Sequence, residues 1–287
     1  MAPWLSWLAA NLVMLLMSLS GYSRHYVATD HGPLHYFEVT GSGEHPPVLL
    51  LHGLGSQASD LYLVMEGLRP HVRKLIAVDL PGHGQSEVAV AQLPLSDFQT
   101  SVYQGLDRIL AQEEPVMLFG NSLGGWQALR YAQHNPAELS SLVLVSPAGA
   151  VVDANEARRL RQVFGEQSTA QPEALIPLLY NEPPAWQGAI RPFLYSRFAQ
   201  PGVQALIRRL DGHRFHDPTQ LRQLQMPVLL IWGLQDKIFP VGVDFFRQAL
   251  PPQTHVIEPP HFTHSPYIEG QMDRELSQLI VNWALRP

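Results

Sequence analysis

The chain has 287 residues, 46% of them hydrophobic but only 15% charged, against about 25% in an average soluble domain. It contains no cysteine, which excludes disulfides, cysteine zinc sites, iron–sulfur clusters and a thiol nucleophile. The net charge of -6 provides no basic field for nucleic acid, and the length fits one large α/β domain with an insertion, or two smaller domains.

The first element is the apolar run Trp4 to Leu19 (WLSWLAANLVMLLMSL). As a helix it reaches roughly 24 Å, short of the ~30 Å hydrocarbon core of a bilayer. Three readings stay open for residues 1–20. Trp4, Trp7 and the apolar circumference suit a membrane-associated helix, anchored or lying at the interface. Ser18 and Ser20 before Gly21 suit a cleaved signal peptide, although no Lys or Arg precedes the run. The third reading is a helix docked on the protein's own apolar surface. The expected placement is therefore membrane-associated through residues 4–19, or exported to a periplasmic compartment after cleavage.

Beyond Gly21, HYFEVT (35–40) predicts a half-buried strand. PVLLL (47–51), KLIAVDL (74–80), VMLF (116–119), LVLV (142–145) and VLLIW (228–232) are continuous apolar runs, as expected of strands covered on both faces. HVIE (255–258) reads as a last, shorter strand. Helical stretches fall at 96–112, 123–133, 241–250 and 269–285. Buried strands alternating with helices predict a parallel sheet with helices on both faces. The alternation lapses between Pro147 and Pro227, where pieces rich in Arg and Leu are separated by prolines. Residues 150–222 hold nine arginines against seven acids, so the stretch is mildly basic within an acidic chain. It reads as a helical insertion, and at the carboxyl ends of the strands it would sit where such sheets bind ligands.

The chemistry concentrates in Gly120-Asn121-Ser122-Leu123-Gly124-Gly125, directly after a buried strand and directly before a helix. A sharp strand-to-helix turn presents Ser122 Oγ at the sheet edge, and the small flanking residues let neighbouring backbone pass. A serine hydroxyl needs a base to take its proton and an acid to orient that base. The acid candidate is Asp236, after the strand VLLIW. The base candidates are His264 and His261 in PHFTHSPYIE, with His264 preferred because it stands just ahead of the last helix. The backbone N–H groups of Leu123 and Leu54 are the expected oxyanion donors, the latter from His52-Gly53-Leu54-Gly55. His52 itself reads as a structural hydrogen-bonding residue. Asp79-Leu80-Pro81-Gly82-His83-Gly84-Gln85-Ser86 reads as architecture near the site.

HGLG, DLPGHGQS, GNSLGG, GLQDKIFP and HSPYIE, in this order, resemble the α/β-hydrolase fold family over residues 25–287. The resemblance implies an eight-stranded, mostly parallel sheet, a helical cap inserted after the sixth strand, and a Ser–His–Asp triad working without cofactor or metal. It also implies a core of residues 21–146 and 227–287 with a cap at 147–226. Serine at position 122 separates the chain from dehalogenase and epoxide-hydrolase relatives, which carry Asp there. Within the family it resembles monoacylglycerol lipases and carboxylesterases, and GNSLGG also resembles the meta-cleavage-product hydrolases.

The expected activity is hydrolysis of a small lipophilic carboxylic ester, as in a lipase, with Ser122, His264 and Asp236 catalytic. Phe164, Leu178, Leu179, Tyr180, Trp186, Phe193, Leu194 and Tyr195 are candidates for an apolar acyl pocket, or form the core of the cap itself. Two alternatives stand beside the ester hydrolase. One is a C–C bond hydrolase on the same residues, with cap arginines holding an anionic substrate. The other is a non-catalytic binding protein.

Overall fold

The computed structural model describes residues 4–150, 153–164, 176–181, 196–209, 216–269 and 271–284. Among them, eight strands form one sheet: β1 (Ser23–Val27), β2 (Leu34–Thr40), β3 (Val48–Leu51), β4 (Lys74–Val78), β5 (Val116–Asn121), β6 (Leu139–Val145), β7 (Val228–Ile231) and β8 (His255–Ile257). Their order is β1-β2-β4-β3-β5-β6-β7-β8. β1 and β2 are antiparallel to each other, and β2 is antiparallel to β4. From β4 to β8 every pairing is parallel. This is the mostly parallel sheet expected from the sequence.

The apolar runs follow from double-sided burial. Leu49, Leu51, Ile76, Val78 and Leu118 join one core cluster. Their sequence neighbours Val48, Leu50, Leu75, Ala77 and Phe119 join a second. Alternate side chains of a strand point to opposite faces, so each strand feeds both cores. The first core is closed by α3 (Leu95–Leu110), α4 (Leu123–His134) and α9 (Val243–Ala249). In α3 the buried Leu95, Phe98, Val102, Leu106 and Leu110 recur at three- and four-residue spacing, the period of a one-faced helix. The second core is closed by α2 (Tyr62–Leu68) and α10 (Met272–Ala284). Between β6 and β7 lie α5 (Ala154–Phe164), α6 (Ile176–Leu179), α7 (Pro201–Arg209) and α8 (Pro218–Leu221). Trp186, Phe193, Leu194 and Tyr195 lie outside the described residues.

The amino-terminal helix α1 (Trp4–Leu19) corrects one expectation. Among the described residues no helix is long and apolar enough to cross a membrane. Met17 of α1 is fully buried in the second core, with Val13 and Met14 packed against it. Leu12, Leu15, Leu16 and Leu19 are exposed. The chain then turns at Gly21, and Tyr22 Oη donates to Glu66 of α2 at 2.8 Å. The segment expected to be membrane-associated thus rests on protein along Val13, Met14 and Met17.

Strand order places the loops. β3 lies between β4 and β5, so the chain leaves β3 to one side and returns to its other side as β5. Such a reversal opens a crevice at the carboxyl ends of the strands. Leu51 pairs with Gly120, so the loop starting at His52 emerges beside Asn121 and Ser122.

Candidate active site

Ser122 has φ 51° and ψ -114°, a conformation costing a non-glycine residue about 1–3 kcal/mol. Backbone bonds hold it there. Its N–H donates to Val145 O at 3.1 Å, and its carbonyl accepts from Trp126 and Ala148 N–H at 2.9 and 3.0 Å. The turn also brings α4 hard against β3. A Cβ on Gly124 would lie 2.3 Å from the Leu51 carbonyl oxygen, so no larger residue fits there. Leu123 opens α4, and the first amides of a helix have no acceptor within it. Its N–H therefore points outward beside Ser122, at the positive end of the helix dipole.

Asp236 follows β7 and is buried. One carboxylate oxygen accepts from the Ile238 and Phe239 N–H groups, both at 2.8 Å. The other lies 2.8 Å from His264 Nδ1. Burial pushes its pKa up, but the neighbouring His264 and the Phe239 amide outweigh that and hold it below the usual carboxylate range. The carboxylate is therefore ionised at neutral pH and accepts the Nδ1 proton, leaving Nε2 as the basic nitrogen. The edge of Phe239 packs against the His264 ring, with centroids 4.9 Å apart. His261, the other base candidate, is on the surface with Nε2 2.7 Å from Glu275. Of the two histidines, the fold brings His264 to Asp236.

Asn121 joins this pair to the serine turn. Its side-chain amide donates to the backbone oxygens of His264 (2.9 Å) and Val145 (3.0 Å). Its oxygen accepts from Ser265 Oγ at 2.9 Å and Tyr267 Oη at 3.0 Å. A fully buried amide with all these bonds satisfied fixes the His264 loop against the residue preceding Ser122.

The loop after β3 is set by His52. Leu80 N–H donates to His52 Nε2 at 3.0 Å, so the ring proton is on Nδ1, which donates to Gly53 O at 2.8 Å. Complete burial pushes the pKa of His52 down, keeping the ring neutral. The Gly53 carbonyl and the Leu54 N–H belong to one trans peptide and point in opposite directions. By holding the carbonyl, His52 aims the Leu54 N–H. Both of its ring nitrogens face backbone, which leaves neither to act on a substrate. Asp79 is likewise architectural: it lies 2.8 Å from His35 Nδ1 and accepts from Ala58 and Gln85 N–H.

A family model described as alpha/beta hydrolase fold matches residues 46–271. The chain belongs to the α/β hydrolase fold family. This α/β hydrolase is 27% identical to the monoacylglycerol lipase ABHD6 of Homo sapiens over 230 residues, 72% of this chain and 67% of that protein. It is 28% identical to the Rattus norvegicus protein of that name over 264 residues, 84% of this chain and 76% of the relative. Among solved structures, a bacterial membrane phospholipase A aligns with a TM-score of 0.81 at 24% identity, covering 99% of this chain and 93% of that one. At that identity the likeness concerns the fold.

Three residues of this hydrolase's site were not singled out from the sequence: Asn121, Ser265 and Tyr267. All lie inside the motifs quoted above, but their roles depend on contacts more than 140 residues apart along the chain. Within the insertion, Phe198 and Val203 are buried together, with Leu54, Phe164, Leu178, Leu179 and Ile207 packed on them. Phe164, Leu178 and Leu179 thus join a cluster that reaches Leu54, whereas Tyr180 is buried outside it. Arg159 donates to Glu156 and to the carbonyls of Lys237 and Ile238, and Arg209 donates to the Val90 carbonyl.

Proposed function

We propose that this α/β hydrolase cleaves carboxylic esters of lipophilic acyl groups, as a monoacylglycerol lipase or carboxylesterase does. The observation that carries the proposal is the buried His264–Asp236 pair, tied through Asn121 to the strained turn at Ser122. In the proposed reaction His264 Nε2 takes the Ser122 proton as Oγ attacks the ester carbonyl. Asp236 stabilises the imidazolium. The Leu54 and Leu123 N–H groups donate hydrogen bonds to the carbonyl oxygen as it becomes negatively charged. The imidazolium then protonates the departing alcohol, and water attacks the acyl-enzyme with His264 again as base.

The apolar cluster around Phe198 supports a lipophilic acyl group, because it packs on Leu54, the residue supplying one oxyanion donor. The insertion over 147–226 then serves as a cap. The relatives named above as monoacylglycerol lipases support the same substrate class. Arg159 and Arg209 are engaged by protein acceptors, which weighs against cap arginines recruiting an anionic substrate for C–C cleavage.

The test is a panel of acyl esters, monoacylglycerols and a dienone acid, offered to wild type and to Ser122→Ala. Turnover is expected for the lipophilic esters and should fall by at least about a thousandfold in Ser122→Ala. Ester turnover that survives the substitution would sink the assignment. Loss in His261→Ala with full activity in His264→Ala would move the base to His261.

A further inference from the structure

The insertion meets the loop that carries Leu54 through two adjacent residues, Arg197 and Phe198. The Arg197 guanidinium grips the Asp60 carboxylate with both terminal nitrogens, one of them at 2.8 Å. The side chains of this ion pair are only 12% and 16% exposed. Asp60 sits in the turn directly after the oxyanion loop, and the same carboxylate accepts from Ser56 Oγ at 2.7 Å and Gln57 N–H at 3.2 Å. Ser56 N–H in turn donates to Gly53 O at 3.1 Å, the carbonyl of the peptide whose N–H belongs to Leu54. Phe198 covers the other side of the loop. A Cβ on Gly55 would lie 2.7 Å from its ring, and Gly55 has φ +72°. The loop is thus held between a charged clamp and an aromatic lid, both supplied by the insertion.

We propose that Arg197 and Asp60 are a positioning pair that makes the aim of the Leu54 N–H depend on the seating of the inserted helices. The proposal rests on the hydrolytic reading above, in which Leu54 N–H meets the oxyanion. The chain of contacts is short: Arg197 orients the carboxylate, the carboxylate orients Ser56 and Gln57, and Ser56 shares the Gly53 carbonyl with His52. A bidentate guanidinium–carboxylate pair fixes direction as well as distance, which a lysine or a neutral partner does not. Charge reinforces the geometry. Burial pushes the Asp60 pKa up, but Arg197 and the Ser56 hydroxyl more than offset it, so the group stays ionised through the neutral range. Loss of the clamp would leave the loop to His52, its own turn bonds, Tyr267 Oη and the Phe198 ring, none of them holding the Asp60 carboxylate that orients Ser56 and Gln57, and a donor displaced by under an ångström stabilises an oxyanion poorly.

The experiment compares wild type with Asp60→Asn, Arg197→Met and Arg197→Lys. It measures ester kcat and KM, the affinity of an alkyl boronic acid that forms a tetrahedral adduct at serine, and the affinity of the matching fatty acid. Thermal melts and titration of active serine with a fluorophosphonate normalise each preparation to its folded fraction. Asp60→Asn and Arg197→Met should lower kcat by about ten- to a hundredfold and weaken the boronate by a similar factor. KM and fatty-acid affinity should change by less than about threefold, because a ground-state ligand makes little use of the oxyanion donors. Arg197→Lys should recover part of the loss. The double variant should be no worse than either single one, since the two act as a unit. Boronate affinity and kcat at wild-type level in the folded variants would overturn the proposal. A wild type that forms no boronate adduct would instead refute the hydrolytic reading itself.

Discussion

Acidification should destabilise this protein well before its carboxylates titrate. Burial pushes the pKa of His83 down to about 3, with the neighbouring His52 acting the same way. Burial likewise takes His216 down to about 3, aided by the charge of Arg130. In the unfolded chain each ring titrates near 6.5. Their folded values are therefore depressed, the unfolded state binds the protons first, and stability falls as pH drops below about 6.5. At pH 5.5 an unfolded histidine is about ten parts protonated to one, which favours unfolding by about 1.4 kcal/mol per ring relative to pH 7.5. Two rings give a loss of about 3 kcal/mol, and His52, shifted in the same direction, adds to it. The depressed carboxylates Asp60, Asp79 and Asp236 contribute stability that is intact at pH 5.5 and is lost only below about pH 4. Urea unfolding at pH 7.5 and 5.5 measures the difference, and His216→Phe should reduce it by about 1.4 kcal/mol. Equal unfolding free energies at the two pH values would refute the argument, because the rings would then have to accept protons without unfolding.

Three substitutions test the site. Asp236→Asn keeps the side-chain volume but removes the ionised acceptor for His264 Nδ1–H, so kcat on an active ester should fall by about four orders of magnitude; a loss under tenfold would show that His264 does not depend on Asp236. Asn121→Leu leaves the His264 and Val145 carbonyls without their side-chain donor, and denaturation should register a cost of about 1–3 kcal/mol, with a fall in kcat from the loosened base loop; a thermal midpoint and kcat at wild-type level would contradict the role given to this amide. Gly124→Ala forces a methyl group to within 2.3 Å of a backbone oxygen and should cost about 3 kcal/mol or more, seen as poor soluble yield or a lowered thermal midpoint.

The parallel strands β3 to β7 could be read from the sequence because each feeds two cores and so appears as an apolar run. β1 gave no such sign: SRHYV is almost wholly exposed and pairs along one edge with β2. α2 also escaped notice, being seven residues long, interrupted by Gly67 and bordered by a tight 3-10 turn. Ser122, Asp236 and His264 could be nominated as candidates because each follows a strand in a recognisable local pattern. The local pattern preferred His264 to His261, and the fold places the two differently, His264 beside the buried Asp236 and His261 on the surface beside Glu275. Asp60 and Arg197 are 137 positions apart and belong to no shared motif, so only folding reveals them as a pair. The amino-terminal helix misled for a related reason. Apolar composition looks the same whether lipid or the protein's own core covers a residue, and here Met17 is covered by the core.

The reversal of strand order at β3 has a consequence for a chain emerging from the ribosome. The loop carrying Leu54 and the turn at Ser122 follow neighbouring strands, β3 and β5, and both precede β7 in the chain. Asp236 follows β7 and His264 follows β8, later in the chain. On the proposed mechanism the nascent hydrolase can therefore shape its nucleophile turn long before it has anything to deprotonate the serine. Arg197 lies between these two stages in the chain, and its partner Asp60 lies on the earlier side.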